Sequence, residues 1–432
     1  MIAAPVGGAG SAAQSILVRV SGPDRPGITA ALMGLLSEHR CAIDDIEQIV
    51  IRGRLDLSLV VTLPSPGGLG ASEEAVRELY GELLLFGYDQ TMTVDFEPVA
   101  ATPPRTNPGL VATILGSVVS PAEFGAIAAV VAANGGNIDR IVRLARYPVM
   151  AFELSISGPD RPRIQAALLA RANELPCDVA VHHQGLGRRA NRMVVLDVDS
   201  TLIQDEAIEL LADEAGTRDQ VAAITERAMA GELDFAQSLA TRVATLEGLD
   251  ASVLDRLNRR IRLTPGARTF IRTLRRLGYR TAIVSGGFTS VTDHLVAELG
   301  IDHSHANVLE IVNGRLTGRT LGPVVDRAAK AQFVRELAAK EGIPLDQVVA
   351  VGDGANDLDM LRTVGLGIAF NARPVVRQAA DAAVNVPYLD AILFVLGMRR
   401  DEIEYDELSS SDIPVAPPPS NGDSATGIPA GH

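Results

Sequence analysis

The sequence predicts an α/β protein in which a doubly wound parallel sheet with a helical insertion follows two small βαββαβ modules. Short apolar runs such as residues 193–196 and 347–351 end in polar or glycine-rich turns, and helical patterns separate them, which is typical of a parallel sheet. Residues 15–97 and 110–185 each alternate strand-like and helical segments, which predicts the two modules. At 432 residues the chain can hold several domains, each with its own core.

The first predicted module spans residues 15–97 and follows an Ala/Gly-rich leader at residues 1–14. We expect strands at residues 15–21, 42–50, 55–63 and 91–96, and helices at residues 28–39 and 73–86. Arg52, Gly53 and Arg54 form the turn of a hairpin between the second and third strands. Asp24 and Gly27 lie in the turn between the first strand and the first helix.

The second predicted module spans residues 110–185 and follows a Pro/Thr/Gly-rich linker. We expect strands at residues 110–116, 138–145, 149–157 and 178–181, and helices at residues 121–133 and 162–175. The segment SGPDRP at residues 21–26 recurs at residues 157–162, but the second copy follows the third predicted strand of its module and not the first. The equivalent first turn, residues 117–121, lacks both the aspartate and the early glycine, which argues against ligand binding by this module.

Two carboxylates and a hydroxyl follow the first strand of the predicted parallel sheet, in the segment DVDST at residues 197–201. Ligands of open α/β sheets bind beyond the carboxyl ends of the strands, and side chains two positions apart on an extended segment share a face. Asp197 could therefore attack a phosphate while Asp199 handles the proton. For this pattern alone, an Asp/Ser turn after a strand is an equally good interpretation.

Three further segments could complete a phosphate site. The strand at residues 281–284 leads into Ser285, Gly286 and Gly287, whose backbone N–H groups could face a phosphoryl oxygen. Lys330 lies in a helical pattern at residues 326–340, where a single lysine is usually a solvated surface charge. The segment GDGAND at residues 352–357 places carboxylate and amide oxygens in a tight turn, which suits Mg²⁺.

These four motifs, in this order, resemble those of the haloacid-dehalogenase superfamily phosphatases, and within them the phosphoserine phosphatases. The resemblance covers about residues 193–399. It implies a Rossmann-like domain at residues 190–399 with a helical cap at about residues 205–263, and hydrolysis of a phosphomonoester through an aspartyl-phosphate.

The resemblance also implies the roles of the core residues. Asp197 would be the nucleophile and Asp199 the acid and base, and Mg²⁺ would be bound by Asp197, the backbone carbonyl of Asp199 and Asp353. The phosphoryl oxygens would be held by Ser285, the N–H of Gly286 and Lys330. Asp357 would orient metal-bound water.

The cap and the loop at Asn356 would select the substrate. By resemblance, Glu206 would bind the ammonium of phosphoserine and Arg242 its carboxylate, while Met229 and Phe235 close the pocket. From the residues alone, Glu206 is equally a helix-start carboxylate, Arg242 a surface cation, and Met229 and Phe235 core residues of the cap. Asn356 could bind phosphate or substrate, or could simply be a loop residue that tolerates left-handed geometry.

Both modules resemble ACT domains, which have a ferredoxin-like fold, and in the first of them Asp24 and Gly27 would hold a small amino acid. Regulation by L-serine is therefore one interpretation. The alternative is that both modules only mediate dimerisation, and we expect a homodimer in either case.

The composition agrees with a soluble, intracellular enzyme, and we expect it to be cytoplasmic. A formal net charge of −14 argues against nucleic acid as a partner. Cys41 and Cys177 have no metal-ligand spacing, and we expect reduced thiols. We expect no signal peptide and no membrane-spanning segment, and a disordered tail at residues 400–432.

The resemblance, together with the residues that carry it, implies Mg²⁺-dependent hydrolysis of O-phospho-L-serine to L-serine and phosphate, the last step of serine biosynthesis. One alternative is a related phosphatase or phosphotransferase for another small phosphomonoester. Another is an amino-acid sensor with a vestigial phosphatase domain. The retained charges of Asp197, Asp199, Lys330 and Asp353 argue against the sensor, because a site without a function has no reason to keep all four.

Overall fold

The computed structural model of the chain describes residues 15–64, 72–99, 109–158, 160–184, 190, 192–229 and 232–404. The leader at residues 1–14 and most of the tail at residues 400–432 lie outside the described residues. The chain divides into two compact units, Met1–Thr106 and Asn107–His432. None of the helices in the described ranges is both long and apolar enough to cross a membrane.

The first unit is an antiparallel sheet with two helices. Its elements are β1 (Ser15–Pro23), α1 (Ile28–Glu38), β2 (Ala42–Ile51), β3 (Arg54–Thr62), α2 (Glu73–Gln90) and β4 (Thr93–Val99). The strand order is β2-β3-β1-β4, which confirms the predicted βαββαβ fold. Alternate residues of β1 and β3, such as Val18 and Leu57, are buried against Leu32 of α1 and Leu83 of α2.

Helix α2 extends to Gln90, four residues beyond its predicted end at Phe86. A Cβ on Gly87 would lie 2.9 Å from Cγ2 of Val94, so the glycine lets β4 approach the helix closely and does not end it. The helix ends instead at Thr91, which has the left-handed φ of 55°. The strand that follows therefore begins at Thr93 and not at Thr91.

The second unit begins with another antiparallel sheet carrying two helices. Its elements are β5 (Leu110–Gly116), α3 (Pro121–Ala133), β6 (Asn137–Ala145), β7 (Met150–Ser157), α4 (Arg161–Ala172) and β8 (Asp178–His183), and the strand order is β6-β7-β5-β8. The second SGPDRP segment follows the third strand of this sheet, as predicted. There Asp160 accepts a hydrogen bond from the backbone N–H of Arg163 at 3.1 Å, so this copy caps a helix.

The rest of the second unit is a seven-stranded sheet surrounded by helices. Its elements are β9 (Met193–Leu196), α5 (Ala207–Ala215), α6 (Arg218–Met229), α7 (Phe235–Ala244), α8 (Val253–Arg260), α9 (Ala267–Arg276), β10 (Arg280–Phe288), α10 (Thr289–Leu299), β11 (His303–Val312), β12 (Arg315–Leu321), α11 (Arg327–Glu341), β13 (Val348–Gly352), α12 (Leu358–Thr363), β14 (Leu366–Phe370), α13 (Pro374–Arg377), β15 (Ala382–Val384) and α14 (Ile392–Val395). The predicted parallel sheet is confirmed.

The order of this sheet is β12-β11-β10-β9-β13-β14-β15, and among its described strands β12 alone pairs in the antiparallel sense. Strand β9 lies between β10 and β13, and all three are parallel. The chain proceeds outward in opposite directions on the two sides of β9, which creates a crevice at their carboxyl ends. Any site built from residues 197–201 therefore lies in this crevice.

Helices α5 to α8 form the segment inserted between β9 and α9. Its two connections lie side by side, because Ile203 and Leu263 form a β-bridge and the backbone N–H of Thr264 donates to the carbonyl of Leu202 at 3.0 Å. Asp205 and Arg262 form an ion pair of 2.7 Å across the same two connections. The inserted segment is thus joined to the sheet through one narrow, cross-braced neck.

Strand β8 of the smaller sheet contacts the edge of the larger one. The carboxylate of Asp178 accepts hydrogen bonds from the backbone N–H of Asn385 at 2.6 Å and from its side-chain amide at 2.5 Å. Burial raises the pKa of Asp178 despite these bonds.

Candidate active site

The floor of the crevice is an ion-paired cluster at the end of β9. The backbone N–H of Asp197 continues the sheet by donating to the carbonyl of Val351 at 2.9 Å. Lys330, on α11, donates from Nζ to Oδ1 of Asp197 at 2.6 Å and to Oδ1 of Asp357 at 2.7 Å. The lysine is 0% exposed and Asp197 is 4% exposed. Lys330, which the local sequence pattern alone would place at the surface, is therefore a central group of the site.

The charges of this cluster depend on one another. Burial alone would lower the pKa of Lys330, but the carboxylates of Asp197 and Asp357 raise it above its ordinary value, so the ammonium persists. Burial and repulsion from Asp357 raise the pKa of Asp197 well above its usual range. The single positive charge of Lys330 therefore does not balance the negative charge that Asp197 and Asp357 carry when both are ionised.

Three carboxylates of this cluster are arranged to bind a cation. Oxygen atoms of Asp197, Asp353 and Asp357 all lie within 4.8 Å of one another. Asp353 accepts a hydrogen bond from Oγ1 of Thr201 at 3.0 Å, and burial followed by repulsion from Asp357 raises its pKa to about 6. A bound Mg²⁺ would stabilise the ionised forms of these acids, and an all-oxygen donor set is the one it prefers. The residues therefore fit the predicted metal.

One carboxylate of this cluster was not predicted from the sequence to bind the metal. Asp357, for which we predicted an outer role, joins the cluster directly, and its Oδ2 also accepts the backbone N–H of Gly354 at 3.0 Å. The carboxylate of Asp199 faces elsewhere, so only its backbone carbonyl is left for the predicted ligand role. The role of the Asp199 carbonyl as a metal ligand stays a prediction.

Asp199 is held between the core and the inserted helices. Its Oδ1 accepts the backbone N–H of Ala207 at 2.8 Å, and its Oδ2 accepts the hydroxyl of Ser285 at 2.9 Å. The hydroxyl oxygen of Ser285 in turn accepts the backbone N–H of Gly287 at 2.7 Å. These bonds fix the carboxylate at the first turn of α5, where a proton can be exchanged with a group in the crevice.

Gly286 and Gly287, which follow Ser285, lie where a side chain would not fit. A Cβ on Gly286 would lie 2.9 Å from Cζ of Phe235, and one on Gly287 would lie 2.8 Å from Oδ2 of Asp199. Asn307, which is 2% exposed, donates to the carbonyls of Gly286 and Gly287 at 2.8 and 3.2 Å. Asn307 was not predicted as a site residue, since only the packing of β11 against β10 brings it there.

The inserted helices contribute groups of opposite charge. Glu206 precedes α5, and its Oε1 accepts the hydroxyl of Ser200 at 2.9 Å. Desolvation and then Asp199 raise the pKa of Glu206 to about 7, although the residue as a whole remains exposed at the open side of the crevice. An incoming ammonium would favour its ionised form. Arg242, on α7, is partly buried; burial lowers its pKa, while Glu206 and Asp199 oppose that shift.

These groups surround one cavity of about 310 Å³. Most of the predicted site residues line it. The lining residues are Asp197, Asp199, Glu206, Ile208, Thr225, Phe235, Leu239, Arg242, Gly286, Gly287, Phe288, Asp353, Asn356 and Arg373. Ser285 and Lys330 lie behind the wall, at 1% and 0% exposure. The side chain of Met229 lies outside the described part of the chain.

The two residues predicted to hold a regulatory amino acid belong to the first unit. The backbone N–H of Asp24 donates to the carbonyl of Gly53 at 2.9 Å. Gly27 precedes α1 with a φ of 96°, a conformation that side chains disfavour, and a Cβ there would meet open space.

Comparison with known families agrees with this geometry. Residues 194–362 match the haloacid dehalogenase-like hydrolases, and residues 14–97 and 110–182 each match an ACT domain. The phosphoserine phosphatase of Streptomyces coelicolor is 51% identical over 403 residues, covering 93% of this chain and 97% of the relative. That of Mycobacterium tuberculosis is 48% identical over 394 residues, covering 90% of this chain and 95% of the relative.

A solved structure shares much of the fold. The unliganded form of a probable phosphoserine phosphatase from Vibrio cholerae is 34% identical to this chain, with a TM-score of 0.53. The match covers 66% of this chain and 86% of that one.

Proposed function

The chain belongs to the phosphoserine phosphatases of the haloacid dehalogenase-like hydrolase family, and we propose that it hydrolyses O-phospho-L-serine to L-serine and phosphate, the last step of serine biosynthesis. One observation carries this proposal: Asp197, paired with Lys330 at 2.6 Å, lies at the floor of a cavity whose outer wall holds Glu206 and Arg242. The floor suits a phosphoryl group. The outer wall offers an anion and a cation to the zwitterionic end of an amino acid.

The first half-reaction forms a bond between a carboxylate oxygen of Asp197 and phosphorus while the bond from phosphorus to the serine oxygen breaks. Lys330 holds Oδ1 of Asp197 and fixes the plane of the attacking carboxylate. Asp199, oriented by Ala207 and Ser285, gives its proton to the departing serine oxygen. The leaving group is therefore released as a neutral alcohol.

The second half-reaction returns the enzyme to its starting state. Asp199, now ionised, takes a proton from water, whose oxygen attacks phosphorus as the bond to Asp197 breaks. Gly286 lines the crevice and would offer its backbone N–H to the charge that the transferring oxygens carry, while Ser285, behind the wall, holds Asp199 in place. Asp197, Asp353 and the backbone carbonyl of Asp199 would hold Mg²⁺, which offsets the repulsion between an anionic nucleophile and an anionic phosphate.

We expect phosphate release from phosphoserine to exceed that from phosphoethanolamine and p-nitrophenyl phosphate, both of which lack the carboxylate that Arg242 would bind. We also expect activity to disappear on chelation with EDTA and to return when Mg²⁺ is added. Initial rates on the three substrates, with and without the metal, test both expectations. Equal rates on all three, or rates unaffected by EDTA, would contradict the proposal.

We also propose that the enzyme works in the cytoplasm as a homodimer. Cys41 and Cys177 are free thiols, which suits a reducing compartment. Strand β2, at the edge of its sheet, exposes Ile43, Ile46 and Ile49 at 48, 46 and 50%. An edge strand with exposed apolar residues supports pairing with a second copy.

We further propose that the first unit binds serine at the turn that holds Asp24 and Gly27. Serine is also the product, so binding should be measured by calorimetry in an Arg242→Ala background, which weakens the catalytic site. We expect this protein to bind serine and its Gly27→Val derivative not to bind, because the side chain both fills the turn and disfavours the φ of 96°. Gly34→Ala, in open space on α1, should leave binding intact. Binding that survives Gly27→Val would exclude this turn as the site.

A further inference from the structure

Arg373 lines the active-site cavity, although neither the four motifs nor the cap includes it. It follows β14 and adopts an extended conformation with φ −63° and ψ 153°. Pro374, the first residue of α13, favours an extended conformation for the residue that precedes it. Ala372 and Val376 are buried at 9% and 0% on either side of Arg373. The backbone of Arg373 is therefore fixed while its side chain is exposed at the rim.

The guanidinium of Arg373 is available for a ligand. Among the described residues it forms no ion pair and no side-chain hydrogen bond. Lys330, by contrast, donates to two carboxylates at 2.6 and 2.7 Å and is 0% exposed. Arg373 is thus an uncommitted cation on the core wall of the cavity, and Arg242 lies on the wall formed by the inserted helices.

The balance of charge suggests what Arg373 binds. Four carboxylates line the cavity, from Asp197, Asp199, Glu206 and Asp353, whereas Arg242 and Arg373 are its lining cations. The phosphoryl group belongs at the buried floor beside Asp197. The opposite end of phosphoserine carries an ammonium, which needs an anion, and a carboxylate, which needs a cation near the rim.

We propose that Arg373 binds the α-carboxylate of the substrate from the core side, opposite Arg242, and thereby selects phosphomonoesters that carry a carboxylate. This inference rests on the proposed phosphoserine phosphatase activity and adds a specificity residue to it. A carboxylate held between one guanidinium of the core and one of the inserted helices also links the two walls. Substrates with this group therefore favour closure of the cavity, whereas substrates without it gain nothing from Arg373.

The test compares Arg373→Gln with wild type on phosphoserine and phosphoethanolamine, which differ only in the carboxylate. We expect kcat/KM for phosphoserine to fall roughly 10- to 100-fold, the range for loss of a charged hydrogen bond, and that for phosphoethanolamine to stay unchanged. Arg373→Lys keeps the positive charge but lacks the planar guanidinium that can donate two hydrogen bonds to a carboxylate, so its kcat/KM for phosphoserine should lie between those of Arg373→Gln and wild type. Arg259→Gln removes the same charge from an exposed position of α8 outside the cavity and should change neither substrate.

Each result bears on the inference. Equal loss on both substrates would assign Arg373 to the phosphoryl end or to the structure of the rim, and no loss on either would show that it binds nothing; both overturn the proposal. If phosphoethanolamine turnover is too slow to measure, p-nitrophenyl phosphate serves as the substrate without a carboxylate. A wild-type enzyme that does not hydrolyse phosphoserine would instead refute the proposed function, so the two failures are distinguishable.

Discussion

Asp197→Asn is expected to abolish turnover while the protein remains folded. An amide has the size of the carboxylate but lacks the charge that attacks phosphorus, so the covalent route is closed. Loss of a nucleophile in other enzymes lowers kcat by about 10⁴-fold or more. The fold should tolerate the change, because burial already raises the pKa of Asp197 and Lys330 keeps its second partner, Asp357.

Phosphate release and thermal melting, measured on the same preparation, test this expectation. Asp293→Asn on α10 is a matched control, since it makes the same change at an exposed position away from the cavity. Asp293→Asn should leave both phosphate release and the melting temperature at the wild-type values. Substantial phosphate release by folded Asp197→Asn protein would rule out the aspartyl-phosphate mechanism.

The sequence predicted the architecture well because its signals are local. Apolar runs ending in Asp197, Ser285 and Gly352 identified three central strands of the parallel sheet, and their polar ends necessarily meet at one edge. The position of the second SGPDRP segment after a third strand was also correct, because hydrophobic alternation defines the strands around it. Errors of a few residues arose at the ends of elements, as at Gly87, which lies inside α2 and allows Val94 to approach the helix closely.

The hairpin of β11 and β12 could have been found from sequence. Asn313 and Gly314 adopt φ values of 52° and 74° between the two strands, and this dipeptide is a strong hairpin signal. The predicted strands did not include this hairpin, so the antiparallel edge of the large sheet was missed. Asn307 lies on β11 of this hairpin, but its contact with the glycines after Ser285 depends on the packing of β11 against β10, which the hairpin signal does not give.

The electrostatics of the site needed the structure. Lys330 was identified only through family resemblance, because a lysine within a helical pattern gives no sign that it is 0% exposed. Its partner Asp197 is 133 residues away in the chain, a separation that no periodicity encodes. Arg373 carries no motif either, and only the folding of the loop after β14 brings it to the cavity.

Lys330→Met is expected to cause the largest loss of stability and to abolish activity. The substitution keeps most of the side-chain volume but leaves Asp197 and Asp357, at 4% and 0% exposure, without their shared cation. Removing one partner of a buried ion pair typically costs about 3–5 kcal/mol. Lys340→Met, at an exposed position of the same helix, should change the free energy of unfolding by less than about 0.5 kcal/mol.

Two further measurements distinguish loss of the buried ion pairs from simple misfolding of the Lys330→Met protein. One varies the pH, and the other removes one of the two buried carboxylates. Burial and repulsion from Asp357 already raise the pKa of Asp197, and Lys330→Met removes the cation that opposes this shift, so the folded state holds this proton more tightly than the unfolded chain and its stability must fall as pH rises through that range. Urea unfolding at pH 5 and pH 8 should therefore show the larger deficit at pH 8. Asp357→Asn in the same background should restore part of the stability, since only one uncompensated carboxylate is then left. A deficit that is independent of pH and unrelieved by Asp357→Asn would mean that Lys330 stabilises the fold by packing alone, and the ion-paired cluster would not be what holds Asp197 in place.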